Sequence, residues 1–229
     1  MLIDPVTEET WDTPMTTEPM EERLSSDALL QASRRVDWRF LLPDPSLGRV
    51  AYFGPVDSEQ AKSLRLFSQT FIALQDDWSA ESYQRAEASF DVVVVERPSR
   101  QSLPVYANLV RPGGYIYLEV YGSSWSAPRK VKRREFRIKG LNKLRPHRFE
   151  KPLEHLGFVE IANHWHWPTF EGCTKMIPLA DETAVRFALA NEKKSRKAKI
   201  QNLVSKGVLQ TGLLPQLVPC YSVIGKRWG

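Results

Sequence analysis

Residues 90–121 read FDVVVVERPSRQSLPVYANLVRPGGYIYLEVY, and the order of apolar runs in this stretch decides what kind of sheet to expect. Val92, Val93, Val94 and Val95 are consecutive and β-branched, which suits a strand covered on both faces. Residues 115–120 supply a second apolar run of strand length. Between the two runs Leu103, Val105, Tyr106, Leu109 and Val110 fall close to helical spacing, and Pro112, Gly113 and Gly114 are placed to stop that helix and turn the chain into the next strand. The unit is two buried parallel strands joined through one helix and a glycine turn, half of a doubly wound α/β sheet.

Working outward, RVAYF at 49–53 is a short apolar strand, and Gly54 and Pro55 turn it toward a helix. Asp57 is the expected N-cap of that helix, with Gln60 in the capping-box position and Ala61, Leu64 and Phe67 on the inner face. Residues 70–74 make the next strand and 81–88 a short helix. Further upstream, Ser25 or Ser26 caps a helix that runs to about Arg35. Downstream, 152–156 read as a short helix stopped by Gly157, followed by a strand over 158–162 and the Trp- and His-rich stretch HWHWPTF. A helix is expected over 181–206, with Val185, Leu189, Ile200, Leu203 and Val204 inward, and a last strand over 220–225. No internal repeat is present at solenoid or propeller periods.

The chain has 229 residues, 42% of them hydrophobic, enough for a proper core. Two cysteines, Cys173 and Cys220, give neither zinc spacing nor a disulfide framework and read as ordinary thiols of a reducing compartment. No run approaches the roughly 18 apolar residues of a membrane span, and the first residues are acidic where a secretory signal would be basic, so a cytoplasmic location is expected. The net charge of +5 conceals a split. Residues 1–27 hold eight acidic side chains against Arg23 alone, so the remainder carries +12. The organisation expected is an acidic tail over 1–24, solubilising or folded back over a basic surface, and a single α/β domain over 25–229 with a basic insertion at 123–151.

The pattern of FDVVVVE, helix and LVRPGGYIYLEV resembles the fourth strand, fourth helix and fifth strand of class I S-adenosylmethionine-dependent methyltransferases, whose helix-to-strand turn is often Leu-x-Pro-Gly-Gly. LEHLGFVEI resembles that family's approach to its sixth strand. The resemblance spans roughly residues 36–228 and is strong over about thirty. It implies a Rossmann-like sheet, mostly parallel with an antiparallel C-terminal strand, and S-adenosylmethionine as cofactor. It also implies positions for the cofactor: Gly54 where the first strand ends, Asp76 as the acid after the second strand, and Glu96 and Arg97 at the end of the central strand. Asp76 reads equally as part of an exposed turn.

Two departures stand beside the match. The family's Gly-x-Gly-x-Gly loop is here GPVDS, where Gly54 alone survives and Pro55 has no N–H to offer. The 36 residues between Gly54 and Asp91 leave space for one strand and two helices, so the family's third strand, which lies at a sheet edge, is expected to be missing. The adenine-contacting loop that follows it would be lost or rebuilt. Two functions follow from this pattern: a divergent methyltransferase, or a non-catalytic relative that kept the sheet as a binding or scaffolding module.

Residues 129–151 carry eleven Lys or Arg against Glu135 and Glu150, interrupted by Phe136, Ile138, Leu141, Leu144 and Phe149. By the family's plan this region helps build the acceptor side of the cleft, so Arg129, Lys130, Lys132, Arg133, Arg134 and Arg137 are candidates to hold an anionic acceptor. A solvated charged loop is the plain alternative. A second basic cluster, Lys193, Lys194, Arg196, Lys197 and Lys199, widens the choice of partner to nucleic acid, an anionic lipid surface or another protein, besides a phosphorylated small molecule. His147 is the candidate general base for an acceptor hydroxyl. His164 and His166 alternate along an expected strand segment, with Trp165 and Trp167 on its other face, and without a third ligand nearby no metal is expected.

Overall fold

Four β-branched side chains in succession leave a strand no polar face, and the chain buries all four. Val92, Val93, Val94 and Val95 are at most 2% exposed in the strand β3 (Phe90–Glu96). The computed structural model describes residues 25–74, 86–121, 147–190 and 218–229. β3 is flanked by two parallel neighbours, β1 (Arg49–Phe53) and β4 (Val110–Tyr121), with Val50 opposite Val92 on one side and Val93 opposite Ile116 on the other. The side-by-side parallel pair expected from the 90–121 stretch is therefore present.

The seven strands form one sheet in the order β2-β1-β3-β4-β7-β5-β6, where β2 is Thr70–Ala73, β5 Phe158–Trp167, β6 Lys175–Pro178 and β7 Cys220–Arg227. β1 pairs in parallel with β2 and β3, while β7 runs antiparallel to both β4 and β5. This is the Rossmann-like, methyltransferase-type α/β sheet that was expected, with its reversed last strand. Among the described residues β2 is the outermost strand on its side, and residues 75–85, on which the expectation of a missing third strand bears, lie outside them. The hairpin partner β6, antiparallel to β5, is an addition at the far edge that the sequence reading did not place.

Each face of the sheet is covered by helices, and strand alternation decides which side chains meet them. Val50, Tyr52, Val92, Val94 and Tyr117 face α1 (Ser26–Arg35), a 3-10 turn (Asp37–Leu41) and α2 (Glu59–Phe67). Trp38 stacks on Tyr117 with ring centroids 4.0 Å apart and planes 14° off parallel, worth about 0.5–1.5 kcal/mol beyond burial. Ala51, Val93, Val95, Ile116 and Leu118 face the other way, toward α3 (Leu103–Leu109) and α4 (His147–His155).

Several boundaries differ from expectation, each for a local reason. Ser58, not Asp57, caps α2, because its hydroxyl reaches the Ala61 N–H at 3.1 Å; Gln60 makes no capping box and is fully buried. α3 ends at Leu109, ahead of the Pro-Gly-Gly, and Val110 already pairs with Phe90. The register then jumps to Val92 opposite Tyr115, so residues 111–114 form a bulge in which Gly113 takes φ +75°. α4 begins well before residue 152 because Phe149 and Leu153, one turn apart, are both fully buried and carry Pro152 within the helix. β5 runs on through the Trp and His residues to Trp167. α1 starts as expected, with the Ser25 side chain accepting from the Ala28 N–H. Of the long helix expected over 181–206, α5 (Glu182–Ala190) is described and 191–206 lie outside the described residues. The helix expected over 81–88 falls outside them too, except Ala86, Glu87 and Ala88, which form a turn.

Candidate functional site

Side chains two apart on a strand share a face, so the residues above Tyr52, Val94 and Tyr117 on the α1 side follow from the register. From β3 to β5 the residues at this level are polar on four adjacent strands. Glu96 pairs with Glu119, Glu119 with Ser222, and Ser222 with His164, a line across β3, β4, β7 and β5 at the carboxyl end of β3. His166, next on the same face of β5, has its Nε2 2.8 Å from the Ser222 hydroxyl.

Two carboxylates directly opposite each other repel, and the last residue of α1 supplies the counter-charge. Arg35 donates from its two terminal nitrogens to the two oxygens of Glu119 at 2.6 and 2.8 Å, and lies 3.9 Å from Glu96. It is the one buried residue of α1. Burial alone would lower the proton affinity of the guanidinium, but the charge and hydrogen bonds of Glu119 more than reverse this, and Arg35 stays charged. Tyr117 and Tyr121 also donate to Glu119, at 3.3 and 3.4 Å, which adds donors to an anion with no access to water.

The other carboxylate is tied to β1. Tyr52 donates to Glu96 at 2.6 Å and shares a 2.7 Å contact with the Ser58 hydroxyl at the N-cap of α2. Burial, followed by the bond to Glu96, raises the Tyr52 phenol well above its ordinary value, so it keeps its proton and remains a donor. His166 is driven the opposite way: burial first, then the charge of Arg35, pushes it down to about 3, and the ring is neutral at physiological pH.

Gly54 stands just beyond Phe53 at the end of β1, and the reason for a glycine there is visible. A Cβ on Gly54 would lie 2.4 Å from the Tyr52 hydroxyl and 3.2 Å from the Glu96 Cβ. The close approach that Gly54 permits is made by the protein's own phenol. Glu96 and Ser58 present a carboxylate and a hydroxyl beside this turn, groups of the right kind for a ribose or an ammonium. Pro55 offers no N–H, and a ligand set against Gly54 from the α1 side requires the Tyr52 ring to turn out of its place. The residues thus fit S-adenosylmethionine only with Tyr52 displaced.

Arg97 follows Glu96 with a φ of +53°, and its guanidinium lies 5.3 Å from the centre of the Tyr121 ring. Gly54, Glu96 and Arg97 are thereby brought to one edge of the sheet. Asp76 and the candidates Arg129, Lys130, Lys132, Arg133, Arg134 and Arg137 lie outside the described residues. His147 is the first residue of α4. His164 and His166 share the α1 face while Trp165 and Trp167 meet edge to face on the other, with centroids 5.0 Å apart. Among the described residues no group of three His, Cys, Asp or Glu side chains could hold a metal ion, and no helix is long and apolar enough to cross a membrane. A cleft of about 220 Å³ opens at the opposite, amino edge, where Gly48, Asp91, Arg111 and Gly114 meet.

Arg35, Tyr52, Ser58, Glu119 and Ser222 are members of this cluster that sequence reasoning missed. A signal existed for one of them: Glu119 is the lone charge inside the apolar run YIYLEVY, and a charge buried in a strand needs a partner.

No family model and no curated protein matches this chain. Solved structures that resemble it include phosphoethanolamine N-methyltransferase 2 of Haemonchus contortus in complex with S-adenosyl-L-methionine, at 11% identity and TM-score 0.43 over 91% of this chain and 59% of that one. A second structure of that protein, with phosphomonomethylethanolamine and S-adenosylhomocysteine, is 13% identical with TM-score 0.45 over 86% of this chain and 53% of that one. The chain therefore spans little more than half the length of these two. A SAM dependent methyltransferase of Archaeoglobus fulgidus is 14% identical with TM-score 0.47, over 89% of this chain and 95% of that one.

Proposed function

We propose that the chain is a divergent methyltransferase-type protein that binds S-adenosylmethionine at the carboxyl edge of β1 and β3 and acts on an anionic acceptor. One observation carries the reading: Gly54, Ser58 and Glu96 meet at the carboxyl ends of two adjacent parallel strands, the place where open α/β sheets receive ligands. The chain's own parts in this reading are to hold and orient. Glu96 and the Ser58 hydroxyl flank the cofactor, Asp76 accepts from its ribose, and the basic residues 129–151 attract a phosphorylated small molecule or another anionic acceptor. His147 is the candidate to take a proton from an acceptor hydroxyl. A cytoplasmic location fits this chemistry.

Tyr52 favours a second reading. With its phenol held by Glu96 and Ser58 over Gly54, the same sheet serves as a non-catalytic module whose basic residues bind nucleic acid, an anionic membrane surface or a protein partner. Isothermal titration with S-adenosylmethionine and S-adenosylhomocysteine separates the two. Saturable heat that is weakened by Glu96→Gln and strengthened by Tyr52→Ala supports the first reading. No heat from either protein, wild type or Tyr52→Ala, abandons it for the second.

A further inference from the structure

The residue after β3 holds a conformation that its sequence opposes. Arg97 has φ +53°, a left-handed backbone that crowds the Cβ of an L-residue. The next residue is the buried Pro98, whose ring pushes its predecessor toward extended backbone. The surroundings override both tendencies. The Arg97 N–H donates to the Glu119 carbonyl at 3.0 Å, and the guanidinium rests on the Tyr121 ring. Strain fixed by neighbours in this way is concentrated at ligand sites.

The use of its charge points the same way. Tyr121 meets Phe170 edge to face at 5.0 Å, and the Arg35 guanidinium lies 5.7 Å from the Phe170 ring. Two guanidiniums therefore flank one aromatic pair. Arg35 turns inward and spends its donors on Glu119, whereas Arg97 is exposed and meets no carboxylate among the described residues. A guanidinium held over a ring face keeps its fork of N–H donors, which matches two oxygens of one anion.

We infer that Arg97 is an oxyanion clamp that holds a phosphate or carboxylate group of the acceptor, in place of the cofactor contact that its sequence position implied. The inference rests on the proposed function only for the carboxyl edge as the ligand site; the anion is held whether or not S-adenosylmethionine binds.

The test uses the full chain, with inorganic phosphate titrated against chloride at constant ionic strength and the arginine Nε–H signals followed by NMR. One arginine signal should shift saturably in the wild type. Arg97→Gly should weaken phosphate binding by about tenfold or more, the loss of one charge-assisted contact, and Arg97→Lys by less. Arg97→Gly should also melt at a higher temperature than the wild type, since glycine adopts a positive φ freely. Phosphate binding unchanged in Arg97→Gly assigns the anion to other basic residues and overturns the clamp. Phosphate held through Arg97 in a protein that gives no heat with S-adenosylmethionine would sink the proposed activity and leave the clamp standing.

Discussion

Glu96 and Glu119 stand opposite each other on adjacent parallel strands, and the Arg35 guanidinium touches both, 2.6 Å from one oxygen of Glu119 and 3.9 Å from Glu96. One cation offsets the mutual repulsion of two carboxylates at a place with little water to screen it. Removing it should be costly. Arg35→Met leaves a fully buried carboxylate uncompensated, a loss of about 3–5 kcal/mol. Arg35→Met combined with Glu119→Gln removes the stranded charge and should recover much of that loss. Urea unfolding of the three proteins decides it, and a double variant no more stable than the single one rejects this account of the pair.

Gly54 should be intolerant of a side chain for a reason that lies two residues away. The Cβ of Gly54→Ala would sit 2.4 Å from the Tyr52 hydroxyl and 2.7 Å from its Cζ, and overpacking of this sort costs about 1–3 kcal/mol. In a Tyr52→Val background the ring is gone, and the alanine should cost under about 1 kcal/mol. A penalty that does not depend on Tyr52 would mean that Gly54 is required for another purpose.

The start of α2 offers a contrast between neighbours. Ser58 accepts from the Ala61 N–H and also contacts Tyr52 and Glu96, so Ser58→Ala should lose about 1 kcal/mol or somewhat more. Asp57 is exposed and caps nothing, so Asp57→Ala should stay within about 0.5 kcal/mol. Thermal melts of the two variants suffice, and equal losses would restore Asp57 as a cap.

That contrast also shows where sequence reasoning stops. Val92 to Val95 announce a doubly buried strand by composition alone, and RVAYF with its following turn announces the neighbour, because these signals are local in the chain. The cap could not be settled this way, since Asp57 and Ser58 are both good capping residues one position apart. The polar line on the α1 face was further out of reach. Arg35 and Glu119 are 84 residues apart, and only the register of β3, β4 and β7 brings Glu96, Glu119 and Ser222 into a row. Tyr52 reads in the sequence as one more apolar strand residue, yet its hydroxyl explains Gly54. By its position the glycine suggests close approach of a cofactor, whereas the group beside it belongs to the same strand.

His166 should make the fold sensitive to acid. Its folded pKa is pushed down to about 3, by burial first and then by the charges of Arg35 and His164, while in the unfolded chain it titrates near 6.5. Above that pH the ring is neutral in both states and contributes no pH dependence. Below it the unfolded chain takes up a proton that the folded protein refuses until about pH 3, so stability falls as the pH falls through this window. Between pH 7 and 4.5 the loss attributable to this one ring is roughly 3 kcal/mol. His166→Gln keeps a polar partner for Ser222 without the titration, and its urea midpoint should fall less than that of the wild type over the same range. Parallel declines in the two proteins would show that His166 is not the group that links folding to protons here.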